Sequence, residues 1–276
     1  SNAFQPTRDR PYVDQVLALY PLHHTYLECD EATLAGLLGD AVRMKDLPGM
    51  TDVDASLLYF CGLVKQHNKV ALTGECAEEI FGGYPWFYRE DLLRVDGFPW
   101  SPDLSARTAL LSDEAIHELH LEEYTRERYR DTLAQVPLLP EEKAETRRRR
   151  EMSYLNLRWF MQTLLSRKDH ASMYSGLEVR VPFCDLRIIE YAYNIPWDMK
   201  GYAGREKGIL RKAFSDMLPD EIVYRKKSPY PKSFNPAYTR NVENKINKIL
   251  LNYDSPILEI VKPDKLQELL DTKASM

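Results

Sequence analysis

No apolar run in this sequence approaches the roughly 18–20 residues that a helix needs to cross a bilayer, which excludes a membrane-spanning helix. An excess of positive charge is also missing. The 37 lysines and arginines face 42 aspartates and glutamates, for a net charge of -5. That balance argues against a general nucleic-acid binder. Cysteine is sparse: Cys29, Cys61, Cys76 and Cys184 are the only four in 276 residues, and no two form a Cys-x-x-Cys pair. Thiols so scattered are expected to be reduced and partly buried in a cytoplasmic protein. The neighbours His23 and His24 have no cysteine or histidine at ligand spacing, so no zinc site is expected. An initiator methionine is lacking too. Ser1-Asn2-Ala3 reads as a cloning scar, and Phe4 onwards has no targeting character, as expected of a piece of a longer protein.

What is present suffices for a sizeable core, with 44% hydrophobic and 11% aromatic residues. The length suits one large domain or two small ones. Apolar spacing predicts helices over Tyr12 to Tyr20, Ala32 to Met44 and Ala55 to Lys65, with Asp46 to Asp54 as a loop. His23 to Cys29 is β-leaning, and the run Lys69 to Thr73 suits a parallel strand covered on both faces. Helix alternating with strand is the grammar of an α/β layer, but two isolated strands make no stable sheet. From about Leu110 the pattern is helical. One helix is predicted from an N-cap at Ser112 to about Gln135. A long one opens at Pro140-Glu141-Glu142, its core stripe formed by Met152, Leu155, Trp159, Phe160 and Leu164. The run Arg147 to Arg150 on it reads either as a solvated face paired with nearby glutamates or as a phosphate or partner site. Later helices are predicted over Leu186–Tyr193, Lys207–Met217, Pro236–Leu251 and Pro263–Asp271, with a basic loop from Arg225 to Ser233.

Three clusters carry possible chemistry. The first is the strand end Val70-Ala71-Leu72 followed by Gly74, Glu75, Glu78, Glu79 and Gly82-Gly83-Tyr84. Ligands of open α/β sheets sit beyond the carboxyl ends of strands, where Glu75 would project. The same residues also describe a well-started helix with a glycine stop, since acids are favoured in a first turn. The second, Ser166 to Asp185, mixes core residues with Arg167, Lys168, Asp169, Glu178, Arg180 and Asp185, and reads equally as a salt-bridge network. The third, Gly204-Arg205-Glu206-Lys207, places cations at a helix start where an anion is favoured.

In this order the clusters resemble the asparagine synthetase family. That family has a Ser/Thr-Gly-Glu-Gly-Ser-Asp-Glu-x-Phe-Gly-Gly-Tyr turn, an Arg-x-Asp…Glu-x-Arg-Val-Pro-Phe-Leu-Asp stretch, a Lys-x-x-Leu-Arg helix, and Leu-Pro before an Arg-x-Lys loop. Here these appear as Thr73–Tyr84, Arg167–Asp185, Lys207–Arg211, Leu218-Pro219 and Arg225–Lys227. The resemblance spans roughly Tyr12 to Tyr238. It implies adenylation of aspartate by ATP with release of pyrophosphate, then attack by ammonia to give asparagine and AMP. It gives Glu75 the role of orienting and deprotonating ammonia, and Lys207 that of stabilising phosphate charge. Gly74, Arg205 and Lys207 would line the ATP and pyrophosphate site. Asp169, Arg180 and Tyr84 would shape the substrate pocket, and Glu78 and Glu79 are the candidate Mg2+ ligands. Glu78 stands where the family has aspartate, so its carboxylate is displaced by about one bond length.

The implied parent fold is α/β, adenine nucleotide alpha hydrolase-like. The family's Ser-Gly-Gly-x-Asp-Ser pyrophosphatase loop and its amino-terminal glutaminase domain have no counterpart in this sequence. The chain is therefore expected to be a predominantly α-helical fragment with a few residual parallel strands. Residues 4–100 would be the remainder of the nucleotide-binding layer and 101–276 the helical part. Such a fragment is expected to be inactive alone, and its bare strand edges invite a homodimer. An acyl-adenylate-forming relative acting on another carboxylate (a β-lactam synthetase or a peptide amidase) and a non-catalytic helical module are the competing readings. The family often carries Arg in the loop matching Thr51–Ser56, where this chain has Asp52 and Asp54.

Overall fold

The computed structural model describes residues 9–227 and 236–274. Ser1-Asn2-Ala3 lies outside the described residues, as does the basic loop beyond Lys227. The first half contains α1 (Arg10–Leu19), α2 (Glu31–Gly36), α3 (Leu38–Lys45), α4 (Thr51–Lys65), β1 (Val70–Leu72), α5 (Ala77–Phe81), α6 (Glu90–Leu93), α7 (Ser105–Thr108), α8 (Asp113–Leu119) and α9 (Leu121–Leu133). The second half contains α10 (Ala144–Leu155), α11 (Gln162–Tyr174), β2 (Glu178–Arg180), α12 (Leu186–Asn194), α13 (Trp197–Lys200), α14 (Gly208–Ala213), α15 (Asp220–Val223), α16 (Pro236–Leu250) and α17 (Pro263–Ala274). The chain is mostly helical. Among the described residues the one sheet has two parallel strands, with Val70 opposite Glu178, Ala71 opposite Val179 and Leu72 opposite Arg180.

His23 to Cys29 is not a strand but an irregular segment. A strand exists only by pairing, and no neighbour among the described residues supplies its ladder. The partner of β1 is instead Glu178–Arg180, a segment whose charges masked its β character. Two predicted helices are also interrupted, and a third starts late. The span from Ala32 to Met44 divides at Leu37, between Gly36 and Gly39, which both weaken a helix. The Ser112-capped helix breaks at His120, whose φ of 43° is left-handed. The long helix begins at Ala144 rather than Pro140, because Glu141 has a φ of 59°.

Among the described residues, three of the four packed clusters bear on the strands and the turn after β1. Met44, Leu58, Cys61, Ala171 and Leu177 join α3, α4 and α11 beneath the strands, with Ala71 and Val179 packed against them. Cys76, Ile80, Met161 and Ala192 lie under α5 and α12. Trp86, Phe87, Leu93 and Met152 form an aromatic core with Tyr84, Trp100, Phe160 and Trp197 around them. Fully burying each of the larger side chains, such as Leu58, Ile80 or Met152, is worth roughly 1.5–3 kcal/mol before entropy is counted. Between α10 and α11, hydrogen bonding widens to a π-helix over Asn156–Met161. Asn156 in that bulge is fully buried and donates from Nδ2 to the carbonyl of Glu79 at 3.2 Å.

Candidate active site

The site is built where β1 and β2 end together. The Thr73 amide donates to the Arg180 carbonyl at 3.0 Å, so both strands release their loops at the same edge. Beyond β1 the chain turns sharply: Cys76 caps α5 with a φ of 73°, and Gly82 ends that helix with a φ of 69°. Gly82 and Gly83 each have a physical reason. A side chain on Gly82 would run into the Trp197 indole, and the Glu78 carboxylate occupies the place where a Cβ of Gly83 would stand. The turn thus folds back on its own glutamate.

Glu78 lies between two lysines. Its Oε1 is 2.6 Å from Lys207 Nζ and 3.2 Å from Lys227 Nζ, while its Oε2 is buried with no hydrogen-bond partner. Lys207 reaches it from the end of α14, where its φ of 53° makes it the cap residue rather than the first helical one. The predicted helix from Lys207 to Met217 is correspondingly shorter, Gly208–Ala213. Glu75 pairs with Lys168 of α11 at 3.5 Å, and its Oε2 is likewise buried and unpartnered. Next to Lys168, Arg167 stands 4.0 Å from Asp54, a nearly inaccessible carboxylate near the start of α4.

Glu79 points elsewhere. Its carboxylate accepts a hydrogen bond from the Tyr84 hydroxyl, and burial raises its pKa while that bond lowers it in part. Burial and the neighbouring Glu79 charge also push the Tyr84 phenol well above its usual range. The Tyr84 ring stacks on Trp86 with centroids 4.3 Å apart, and Lys227 Nζ lies 5.0 Å from its centroid. Tyr88 links the parts: its hydroxyl is 2.9 Å from the Gly82 carbonyl and 3.3 Å from that of Arg205.

Of the residues singled out in the sequence, Glu75, Glu78, Lys207 and Tyr84 are assembled around this turn, with Gly74 in it. Arg205 turns away, donating to the Tyr224 carbonyl at 3.2 Å and lying over the Tyr224 ring. Arg180 pairs with Glu178 at 2.8 Å and is largely exposed. Asp169 is exposed on α11. Lys227, with Lys168 on the Glu75 side, is what the assignment of roles from sequence passed over. It closes the Arg-x-Lys motif, and that was the available signal.

The cysteine expectation needs correction. Cys76 and Cys184 form a disulfide with Cα atoms 6.1 Å apart, because the two strand-end loops run side by side; Cys29 and Cys61 are free. Asp185, by contrast, caps α12 as a structural residue, its carboxyl held down at about 2 by hydrogen bonds from Arg187. Among the described residues no helix is long and apolar enough to cross a membrane.

The sequence profile of the family described as asparagine synthase matches residues 1–275. The chain is 47% identical over 275 residues to asparagine synthetase (glutamine-hydrolyzing) 3 of Bacillus subtilis (strain 168), covering 100% of this chain and 44% of that protein. It is 28% identical over 216 residues to asparagine synthetase (glutamine-hydrolyzing) 1 of the same organism, covering 66% of this chain and 34% of the relative. A mouse asparagine synthetase (glutamine-hydrolyzing) shares 40% identity over 90 residues, 32% of this chain and 15% of the relative. The chain therefore spans less than half the length of these relatives. A profile match over nearly every residue, joined to a paired-charge turn at the carboxyl ends of parallel strands, places this chain in the asparagine synthase family.

Proposed function

We propose that this chain is part of the synthetase region of a glutamine-hydrolysing asparagine synthetase. Its fold is then a segment of an adenine nucleotide alpha hydrolase-like α/β layer (residues 4–100) joined to a helical part (residues 101–276), in a cytoplasmic enzyme. The observation that carries this reading is Glu78 held between Lys207 and Lys227, beside Glu75 on Lys168. In the proposed reaction a carboxylate oxygen of aspartate attacks the α-phosphorus of ATP, and the bond to pyrophosphate breaks. Ammonia, supplied from glutamine by a glutaminase domain of the parent, then attacks the acyl carbon of the β-aspartyl-adenylate. AMP leaves with the bonding electrons.

Each paired group has a part in those steps. Lys207 and Lys227 supply two ammonium charges on separate segments, arranged to exchange Glu78 for phosphate oxygens as charge builds on the leaving group. Glu75 takes the proton that ammonia must lose, and Lys168 holds its carboxylate in place. Gly74 admits close backbone approach, and Tyr84 walls the pocket. Arg205, Asp169 and Arg180 would stand at its margin, since Arg205 is held on Tyr224 and the other two face solvent.

The donor set suits ATP-borne Mg2+ better than a protein-built cage. Among the described residues no three acids, histidines or cysteines gather around one point. Magnesium commonly binds through one or two carboxylates together with substrate phosphates. The unpartnered Oε2 of Glu78 would provide such a contact, whereas Glu79 is directed at Tyr84. Bound there, the ion would neutralise phosphate charge.

The test is an assay of the full-length parent with aspartate, ATP and either glutamine or ammonia. Asparagine, AMP and pyrophosphate in equal amounts are expected. Formation of ADP and phosphate, or turnover only with a different carboxylate, would overturn the reading. The chain alone is expected to show no turnover.

A further inference from the structure

The two cysteines that meet beneath the turn both depart from the family pattern, which has glycine at the position of Cys76 and leucine at that of Cys184. Cys76 keeps a glycine-like φ of 73°, a conformation that a residue with a Cβ adopts only under strain. Its partner lies 108 residues away in sequence, yet the Cα atoms are 6.1 Å apart, inside the roughly 4.4–6.8 Å that a disulfide requires. Two unusual residues in one contact are a pair. Their placement matters as much as their distance. Cys76 stands between Glu75 and Glu78, and Cys184 ends the turn Pro182–Cys184 that follows β2. The bond thus ties together the loops that leave the carboxyl ends of both strands.

We infer that Cys76 and Cys184 are a reversible thiol–disulfide pair that sets the rigidity of the candidate catalytic turn. Cys76 is 2% exposed, walled by Ile80, Met161 and Ala192, whereas Cys184 is partly accessible. Cys184 is therefore the sulfur that meets the solvent reagent. Its thiolate attacks a low-molecular-weight disulfide, forming a mixed disulfide and releasing one small thiol. Cys76, after losing its proton, displaces the second small thiol and closes the protein bond. Two protein thiols are oxidised and one small disulfide is reduced to two thiols. Excess small thiol reverses both steps. Closed, the pair pins the turn carrying Glu75 and Glu78 to the β2 loop; open, that turn is held by packing alone. The inference concerns the turn itself and does not depend on the reaction proposed above.

The experiment treats the chain with oxidised glutathione or with dithiothreitol, blocks free thiols, and follows disulfide-linked peptides and amide hydrogen exchange by mass spectrometry. A linked peptide pair containing Cys76 and Cys184 is expected only after oxidation. Amides over residues 75–83 should exchange at least about tenfold faster in the reduced form, while α9 should exchange equally in both. Cys76→Gly and Cys184→Leu, each restoring the family residue, should match the reduced form and ignore the oxidant. Failure to form the linked peptide, equal exchange in both states, or an oxidant response retained by Cys184→Leu would each overturn the inference.

Discussion

Two charge clusters in this molecule, Arg147–Arg150 on α10 and the Glu75–Glu78 turn beyond β1, both pair acids with bases and are opposite in construction. The arginine cluster is spent on structure. Arg148 alone donates to the carbonyls of Leu93 and Val95 at 2.8 and 2.6 Å, to the Tyr129 hydroxyl at 2.9 Å and to Glu151 at 3.2 Å. Arg150 pairs with Glu142 at 2.9 Å, and Arg149 lies over Trp197. The glutamate pairing expected of this run holds, but the solvated face holds only at Arg147, which is 54% exposed: Arg148 and Arg149 are 18% exposed and Arg150 10%. At the turn the partners are lysines from separate segments, and the acids keep buried oxygens free. Arginine forks into fixed carbonyls make a joint. Lysines reaching one carboxylate from separate segments make the candidate site.

That contrast can be broken by substitution, beginning with the largest effect. Arg148→Ala strands two backbone carbonyls and Glu151, so thermal unfolding should show a loss of about 3–5 kcal/mol. Lys207→Met or Lys227→Met should leave the melting temperature nearly unchanged. In the full-length parent, however, each should lower kcat/KM by about 10²-fold or more, measured as pyrophosphate release. Equal melting losses at Arg148 and Lys207 would erase the distinction.

Lys200 sharpens it through pH. Burial, aided by the Arg150 charge, pulls this lysine down to about 8. A depressed folded-state value means the folded form binds fewer protons, so this contribution to stability is complete above the unfolded value and lost as pH falls through about 8. Lys200→Met should therefore stabilise the chain at neutral pH, by up to about 3 kcal/mol. The gain should vanish as pH rises past about 10, followed by denaturant unfolding across that range. Glu79 shifts the other way. Its raised pKa gives stability that is full below the ordinary glutamate range and lost as pH rises through the folded value. Glu79→Gln should thus gain on the native chain as pH rises above the ordinary glutamate range, read from denaturant unfolding. At the smallest end, breaking the exposed Lys265–Glu268 pair should leave the melting temperature unchanged within measurement.

Helices with a clear apolar stripe were legible in the sequence: Met152 and Leu155 are fully buried, and α12 and α16 lie within a residue of their expected bounds. Pairing was not legible, because a strand depends on a neighbour that can lie anywhere in the chain. His23 to Cys29 had the composition of a strand and no ladder; Glu178–Arg180 had charges and a ladder. The site divided in the same way. The turn's own acids stand out in sequence, and Lys207 stands out by motif. Lys227 and Lys168 acquire meaning only when tertiary structure brings them to Glu78 and Glu75. The Cys76–Cys184 contact joins loops 108 residues apart, a separation that spacing cannot bridge.

The π-helix at Asn156–Met161 works as a phase shifter. An α-helix advances about 100° per residue, so the extra residue in a π turn rotates everything downstream relative to everything upstream. Before it, Met152 serves the aromatic core; after it, Ala171 serves the cluster beneath the strands, on the same continuous rod. Arg167 and Lys168 inherit that rotation, and with it their aim at Asp54 and Glu75. Deleting a single residue from the bulge would leave the rod intact and turn both cations to the wrong bearing.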